Sequence, residues 1–147
     1  MKLDPDLREK ARWKENEKEA IETLQEKIHQ GNVDAGWWTD LDTLQSLAEE
    51  CRIRTRFGKA LVAEKLVLIH SEVSEAMEGA RKNLMDDKLP HRKMIEVELA
   101  DAVIRILDLA GALQLDLAGA IQEKLAFNKT REDHQIENRM KDNGKAY

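Results

Sequence analysis

Apolar residues recur every three or four positions over most of this chain, which is the period of an amphipathic α-helix. The longest such segment is GKALVAEKLVLIHSEVSEAMEGARK, from Gly58 to Lys82. It predicts a central helix roughly 37 Å long at 1.5 Å per residue. A second segment, RKMIEVELADAVIRILDLAGALQ, follows the loop NLMDDKLPH, in which Pro90 suits a helix start. Short connections between long amphipathic helices predict antiparallel packing.

Shorter helical patterns flank these two segments. Apolar spacing after Glu19 predicts a helix that ends near Gly31, followed by the loop GNVDAGWWTD. Thr39 and Asp42 resemble a capping box that opens a helix through LDTLQSLAEECRI. Asp116 is the predicted N-cap of a last helix, LAGAIQEKLAFNKTREDHQIENRM.

Together these patterns predict an all-α fold, an antiparallel bundle of four to five helices. We expect the bundle domain to span residues 19–138. Residues 1–18 are nearly all charged and predict a helix-prone extension, and residues 139–147 predict a disordered tail. Composition agrees, because only two prolines and seven glycines occur in 147 residues rich in Leu, Ala, Glu and Lys.

Charge and cysteine usage exclude several classes of protein. The net charge of −5 and the mixed-sign helix faces do not indicate nucleic-acid binding. Cys51 is the only cysteine, so no disulfide framework or cysteine-based zinc site is expected. The N-terminus lacks the apolar core of a signal peptide, and no apolar stretch approaches the length of a membrane span. We therefore expect a cytoplasmic protein without membrane or nucleic-acid partners.

Two carboxylate pairs interrupt the apolar faces of the long helices. Glu72 and Glu75 lie three residues apart, and so do Glu98 and Asp101, which places each pair on one helix face. Antiparallel packing would bring the two pairs together, where four carboxylates repel one another unless a cation is present. Carboxylate oxygens are ligands that Mg²⁺ prefers, and Mn²⁺ is an alternative ion.

A polar edge offers a simpler explanation of these acids, which would then pair with Lys65, Arg105 or Lys124. One acidic pair would favour that explanation. Two pairs on successive helices favour a metal site instead, and we adopt this interpretation.

A basic stripe is predicted on the last helix. Lys124, Asn128 and Arg131 recur at intervals of four and three residues, which places them on one face. Lys and Arg bind phosphate oxygens, and Asn can hydrogen-bond a sugar or a base. The alternative is a solvated cationic stripe near a helix C-terminus, where the helix dipole favours positive charge.

The two acidic pairs also carry a family resemblance. Glu72-x-x-Glu75 followed by Glu98-x-x-Asp101 resembles the signature of the all-α nucleoside triphosphate pyrophosphohydrolases, which include MazG-like proteins, dimeric dUTPases and dCTP pyrophosphatases. LIHSEVSEAMEGARK, VELADAVIRILDLAGALQLDL and AIQEKLAFNKTR resemble MazG-like segments and occur in the same order. VDAGWW resembles the Gly-aromatic-Trp element of one subgroup. The resemblance covers about residues 19–134.

This resemblance implies an enzyme. Members of the superfamily are helical-bundle dimers, or tetramers made of two dimers, with active sites at the subunit interface. They hydrolyse a nucleoside triphosphate between the α and β phosphates and release the monophosphate and pyrophosphate. By motif match, Glu72, Glu75, Glu98 and Asp101 would be the catalytic residues and the Mg²⁺ ligands, and one of them, such as Glu75, could act instead as the general base.

The resemblance also implies which side chains meet the substrate. The basic stripe would contact phosphate or sugar. The adjacent tryptophans allow one ring to stack on a base, although packing at a helix entrance is an equal alternative. Arg105 occupies a position where some dCTP-hydrolysing relatives carry an aromatic residue. The predicted substrate-binding residues are Lys124, Asn128, Arg131, Trp37, Trp38 and Arg105.

The rival interpretation is a non-catalytic helical interaction or regulatory dimer that retains the bundle. Such a module has no need to keep four converging acids, so we expect a hydrolase that adjusts or sanitises a nucleotide pool.

Overall fold

The computed structural model describes residues 15–145, and every regular element in this range is helical. Its α-helices are α1 (Glu15–Asp34), α2 (Leu47–Ile53), α3 (Arg56–Lys82), α4 (Met94–Ala112), α5 (Leu117–Thr130) and α6 (Ile136–Arg139). A 3₁₀ helix, Glu132–His134, lies between α5 and α6. The all-α prediction is confirmed over this range. None of the helices described combines the length and the apolar composition that crossing a membrane requires.

The chain forms two compact units. One is Thr23–Leu115, and the described part of the other consists of residues 15–22 and 116–145. The sequence predicted a single bundle domain over residues 19–138. Most of the predicted N-terminal extension, residues 1–14, lies outside the described residues, and so do the last two residues of the predicted tail.

Helices α3 and α4 pack antiparallel and organise the Thr23–Leu115 unit. Two contacts set their register. A Cβ atom on Gly79, near the end of α3, would lie 2.9 Å from the Cβ of Met94, at the start of α4. At the other end of this contact region, Arg105 donates a hydrogen bond to Glu72. The earlier residue of α3, Glu72, thus meets the later residue of α4, and the reverse holds for Gly79. Residues 72–79 of α3 therefore face residues 94–105 of α4 in antiparallel order.

Local side chains set the ends of these helices. Thr55 caps α3 by accepting a hydrogen bond from the backbone N–H of Gly58 at 2.9 Å. Asn83 ends α3 in the left-handed conformation, with a φ of 50°. Asp116 caps α5 through the N–H of Gly119 at 2.8 Å, as the sequence predicted. The predicted central helix is confirmed and begins two residues earlier, at Arg56.

The predicted helix from Thr39 was wrong, because a different residue provides the cap. Helix α2 begins at Leu47, since the Ser46 hydroxyl accepts a hydrogen bond from the Glu49 N–H at 3.3 Å. Thr39 instead pairs with Ser46 in an isolated β-bridge. Asp40 closes the turn between them by accepting hydrogen bonds from two backbone N–H groups. The polar residues after Thr39 therefore form a turn.

Further helix ends were misplaced in α1, in α4 and in the last predicted helix, which ends at Thr130. Helix α1 continues through Gly31 to Asp34, because a lone glycine does not stop a helix. Helix α4 begins at Met94, and Pro90 lies in the preceding turn. The buried carboxylate of Asp86 holds this turn by accepting hydrogen bonds from two backbone N–H groups. Asx turns of this kind delay a helix start that proline alone would suggest.

The buried core of the Thr23–Leu115 unit joins the loop after α1 to helices α2 and α4. Side chains from α2, α3 and the end of α4 pack around it. Its buried members are Trp38, Ala48, Cys51, Leu109 and Ala112.

Candidate functional site

Three of the four predicted acidic residues converge between the long helices. Glu72 comes from α3, and Glu98 and Asp101 come from α4. Their nearest carboxylate oxygens all lie within 4.8 Å of one another. Glu72 and Glu98 are buried, and Asp101 is half-buried. We call Glu72, Glu98 and Asp101 the acidic cluster.

Small residues allow the two helices to approach closely enough to build this cluster. Ala76 and Ala102 are buried at 4% and 5% exposure, one turn from the clustered acids on their respective helices. Gly79 lies against Met94, where a larger residue would push the helix backbones apart. The acids can therefore meet because the residues at this helix contact, Ala76, Gly79 and Ala102, are small.

Glu75 lies at the edge of the cluster. Its side chain is exposed, and it is not one of the three converging ligand groups. Its negative charge nevertheless acts on Glu98 and raises the pKa of that carboxyl group. Glu75 is thus near the cluster and in contact with solvent.

The pKa of Glu98 is raised from its ordinary value of 4.5 to about 7. Burial is the largest cause, because it disfavours the charged form. The charge of Glu75, a hydrogen bond with Glu72, and the charges of Glu72 and Asp101 add to the shift. Without a cation, the cluster therefore holds a proton near neutral pH.

Arg105 neutralises another part of the cluster. Its Nε donates a hydrogen bond to Oε1 of Glu72 at 2.6 Å. The arginine side chain is 42% exposed, whereas that of Glu72 is 8% exposed. One pairing expected from the polar-edge explanation is therefore present. Of the other two cations considered there, Lys65 lies over the Trp38 ring and Lys124 over the Phe127 ring.

The donor set suits a hard divalent cation. Three carboxylates offer oxygen ligands only, which Mg²⁺ and Mn²⁺ accept and which leave coordination positions for water or phosphate oxygens. Burial and then the neighbouring acids raise the pKa of Glu98, and Arg105 is hydrogen-bonded to Glu72 alone among the clustered acids. A divalent cation would replace the proton on Glu98 and relieve the repulsion.

The predicted basic stripe is interrupted at its last residue. Helix α5 ends at Thr130, and Arg131 adopts an extended conformation. Arg131 donates two hydrogen bonds to Asp133, at 2.9 and 2.6 Å, so its guanidinium is already paired. Lys124 and Asn128 remain on one face of α5. The Asn128 side-chain oxygen is buried and has no hydrogen-bond partner among the described residues.

The two adjacent tryptophans have different environments, as alternation of adjacent side chains implies. Trp38 is 2% exposed and Trp37 is 68% exposed. The Trp38 indole donates a hydrogen bond to Asp108 at 2.8 Å and packs edge-on against His29. Trp38 is therefore a core residue, and Trp37 is the ring that is accessible for stacking.

Asp108 was missed from the sequence, although it occupies a buried polar centre. It accepts hydrogen bonds from His29 Nδ1 at 2.8 Å, Asn32 Nδ2 at 2.7 Å and Trp38 Nε1 at 2.8 Å. These bonds join α4 to the end of α1 and to the following loop. The available signal was a lone aspartate inside the apolar run ILDLAGAL, since a buried carboxylate requires donors. Its partners lie about 70 or more residues away along the chain and could not be identified.

Known proteins offer no match to this chain: no family model, no curated protein and no solved structure matches it.

Proposed function

We propose that this protein is a Mg²⁺-dependent nucleoside triphosphate pyrophosphohydrolase, which hydrolyses (deoxy)nucleoside triphosphates between the α and β phosphates. The observation that carries the proposal is the convergence of Glu72, Glu98 and Asp101 from two helices. These residues belong to the two motifs that resemble the MazG-like signature. Motif resemblance and spatial convergence are independent, because spacing within each helix does not determine how two helices pack.

The residues of the cluster would hold the metal ion, and each has a distinct environment. Glu72, Glu98 and Asp101 are the ligands, and Mn²⁺ is an alternative to Mg²⁺. When bound, the ion would neutralise phosphate charge and polarise the α-phosphorus. Glu75 is exposed beside the cluster and is the carboxylate available to accept a proton from the attacking water. Arg105, also partly exposed, is available to contact a phosphate oxygen if it leaves Glu72.

The proposal includes a homodimer or a dimer of dimers. Helices α3 and α4 expose several large apolar side chains, and extensive exposed apolar surface is typical of protein–protein interfaces. On α3 and α4 these include Leu66, Val67, Val73, Met77, Leu99 and Val103, each about half exposed or more. A second copy of the chain would cover them.

One observation favours the rival function, a non-catalytic helical dimer. The ion pair between Arg105 and Glu72 gives one acid a structural partner that needs no metal. In that case the remaining acids would tolerate replacement, and divalent cations would bind weakly.

The two functions are distinguished by pyrophosphate release from a panel of triphosphates, with and without Mg²⁺. We expect Mg²⁺-dependent release that is abolished by Glu98→Gln and by Asp101→Asn. Glu96→Gln is the matched control, because Glu96 lies on the same helix, is exposed and pairs with Arg92. We expect deoxynucleoside triphosphates to be preferred, with limited selectivity for the base. Near-normal activity in both cluster variants would rule out the proposed site.

A further inference from the structure

A second concave site lies in the Thr23–Leu115 unit, away from the acidic cluster. It is a cavity of about 570 Å³, within the range of small-molecule sites. Three cationic residues line it: Arg52 and Arg54 from the end of α2, and Lys59 from the start of α3. None of its lining residues is acidic. We call this cavity the basic pocket.

The basic pocket lies several helical turns away from the acidic cluster along both α3 and α4. Lys59 precedes Glu72 by 13 residues on α3, which corresponds to roughly 20 Å along the helix. Leu113, on the other wall, follows Asp101 by 12 residues, or roughly 18 Å. A ligand in the pocket would therefore not touch the acidic cluster.

Apart from its cations and Gln114, the pocket is lined by apolar residues. Val62, Leu113 and Leu115 contribute aliphatic side chains. Cys51 is 2% exposed, and burial raises the pKa of its thiol, so this part of the wall is also uncharged. A bound molecule would therefore meet both positive charge and hydrocarbon.

A tight corner joins α2 to α3, the two helices that carry the three cationic residues at their ends. A Cβ on Gly58 would lie 1.9 Å from the backbone oxygen of Glu50, so only glycine permits this approach. Thr55 caps α3 and donates a hydrogen bond to the Glu50 carboxylate at 3.0 Å. Glu50 is therefore hydrogen-bonded to Thr55, and it is not among the residues that line the pocket.

Only one of the three cationic side chains has a structural role that accounts for its position, and that role is to cap the end of α4. Arg52 donates a hydrogen bond from Nη1 to the carbonyl oxygen of Ala112 at 2.9 Å, at the negative end of α4. This bond positions the guanidinium and leaves four of its five N–H donors for other partners. The side chains of Arg54 and Lys59 have no hydrogen-bond or ion-pair partner within residues 15–145. Three cations that line one pocket, with no acid among the lining residues, are a feature of anion sites.

We propose that the basic pocket binds a phosphate monoester with an apolar or aromatic body. The dianionic phosphate would contact Arg52, Arg54 and Lys59, and the body would lie on Val62 and Leu113. A dianion balances three positive charges better than a carboxylate does, and arginine matches phosphate geometry through paired N–H donors. This proposal is independent of the proposed function.

The test is a calorimetric and NMR titration of the full chain with phenyl phosphate in EDTA, where no divalent ion can hold phosphate at the acidic cluster. We expect saturable binding, with methyl shifts at Val62 and Leu113, and weaker binding at high salt. Arg54→Asn/Lys59→Gln should weaken it at least about tenfold. Asparagine suits position 54, because the backbone there has a φ of 57°. Benzoate and inorganic phosphate should each bind at least about fivefold more weakly than phenyl phosphate.

Lys82→Gln is the matched control, because Lys82 is an exposed cation at the far end of α3 that pairs with Glu78. It should leave the affinity unchanged. Three results would overturn the proposal: no saturable binding of phenyl phosphate up to ~10 mM, equal affinity for inorganic phosphate, or methyl shifts elsewhere in the protein. If the double variant fails to fold, Lys59→Gln alone must still weaken binding, and unchanged affinity in that variant would also overturn it.

Discussion

Glu98 is a buried carboxyl group beside other acids, and its pKa of about 7 makes stability depend on pH. Because this value lies above the ordinary 4.5, the stabilising contribution is complete below pH 4.5 and is lost as the pH rises through 7. We predict that, in EDTA, the free energy of unfolding is larger at about pH 5.5 than at about pH 8.5. Urea unfolding of Glu98→Gln should show a much smaller difference.

The control for this prediction is Glu96→Gln, which removes an exposed acid from the same helix and should keep the full pH difference. If Glu98→Gln kept it as well, the pH dependence would come from other groups. Adding Mg²⁺ should raise the unfolding free energy most at the higher pH, where no proton competes for the Glu98 oxygens.

Arg105 competes with a metal ion for Glu72, since its Nε already donates to a Glu72 oxygen. We predict that Arg105→Gln binds Mn²⁺ several-fold more tightly than the wild type, as measured by isothermal titration calorimetry. The same variant without metal should lose about 1–3 kcal/mol of stability, because a buried carboxylate loses its charged donor. Arg92→Gln, which breaks an exposed pair with Glu96, should change neither quantity. Weaker Mn²⁺ binding by Arg105→Gln would mean that Arg105 supports the cation site.

At the scale of elements, the close approach of α3 to α4 depends on Gly79. A Cβ at this position would lie 2.9 Å from Met94, so Gly79→Ala should force the helices apart at a cost of about 1–3 kcal/mol. We predict that divalent-cation affinity falls with stability in this variant, because the acidic cluster spans the same two helices. Thermal unfolding and calorimetry measure the two effects.

Gly31 provides a matched control within helix α1. Apart from its chain neighbours and the backbone of its own helix, no atom of residues 15–145 lies within 4 Å of a Cβ built there. Gly31→Ala should therefore be neutral or stabilise the protein by about 0.5–1 kcal/mol, since alanine favours a helix. Equal behaviour of the two variants would show that the contact at Gly79 does not set the helix spacing.

Helix periodicity predicted α3, α4 and the acidic pairs because these depend on neighbours three or four residues away. Contacts between helices depend on register, which periodicity does not specify. The Arg105–Glu72 pair and the buried Asp108 therefore could not be assigned from spacing. The end of α5 was missed for a local reason. Arg131 pairs with Asp133 and leaves the helix, although the residues after Thr130 are of types that would allow the helix to continue.

At the scale of the whole molecule, the first boundary between the two units, from Glu22 to Thr23, had no sequence signal. Helix α1 continues from Glu22 to Thr23 without proline or glycine at the boundary. Domain boundaries are usually recognised by linkers rich in such residues. A continuous helix carries no such mark.

Exposed apolar side chains on α3 and α4 lead us to predict a dimer or tetramer at micromolar concentration. Val67 is 65% exposed, so Val67→Lys should leave the fold intact and shift the sedimentation profile toward monomer. Leu41→Lys is the control, because Leu41 is 83% exposed in the turn before α2 and should not affect assembly. A wild-type chain that sediments as a monomer would contradict the prediction.

The most direct test of the central claim is the phosphorus-31 NMR spectrum of deoxynucleoside triphosphates incubated with the protein and Mg²⁺. The spectrum identifies which phosphate bond is broken. We predict that signals of the monophosphate and pyrophosphate appear with the wild type and not with Glu98→Gln. Unchanged triphosphate signals across the panel, or the appearance of diphosphate and inorganic phosphate, would contradict the assignment of the acidic cluster to pyrophosphohydrolysis.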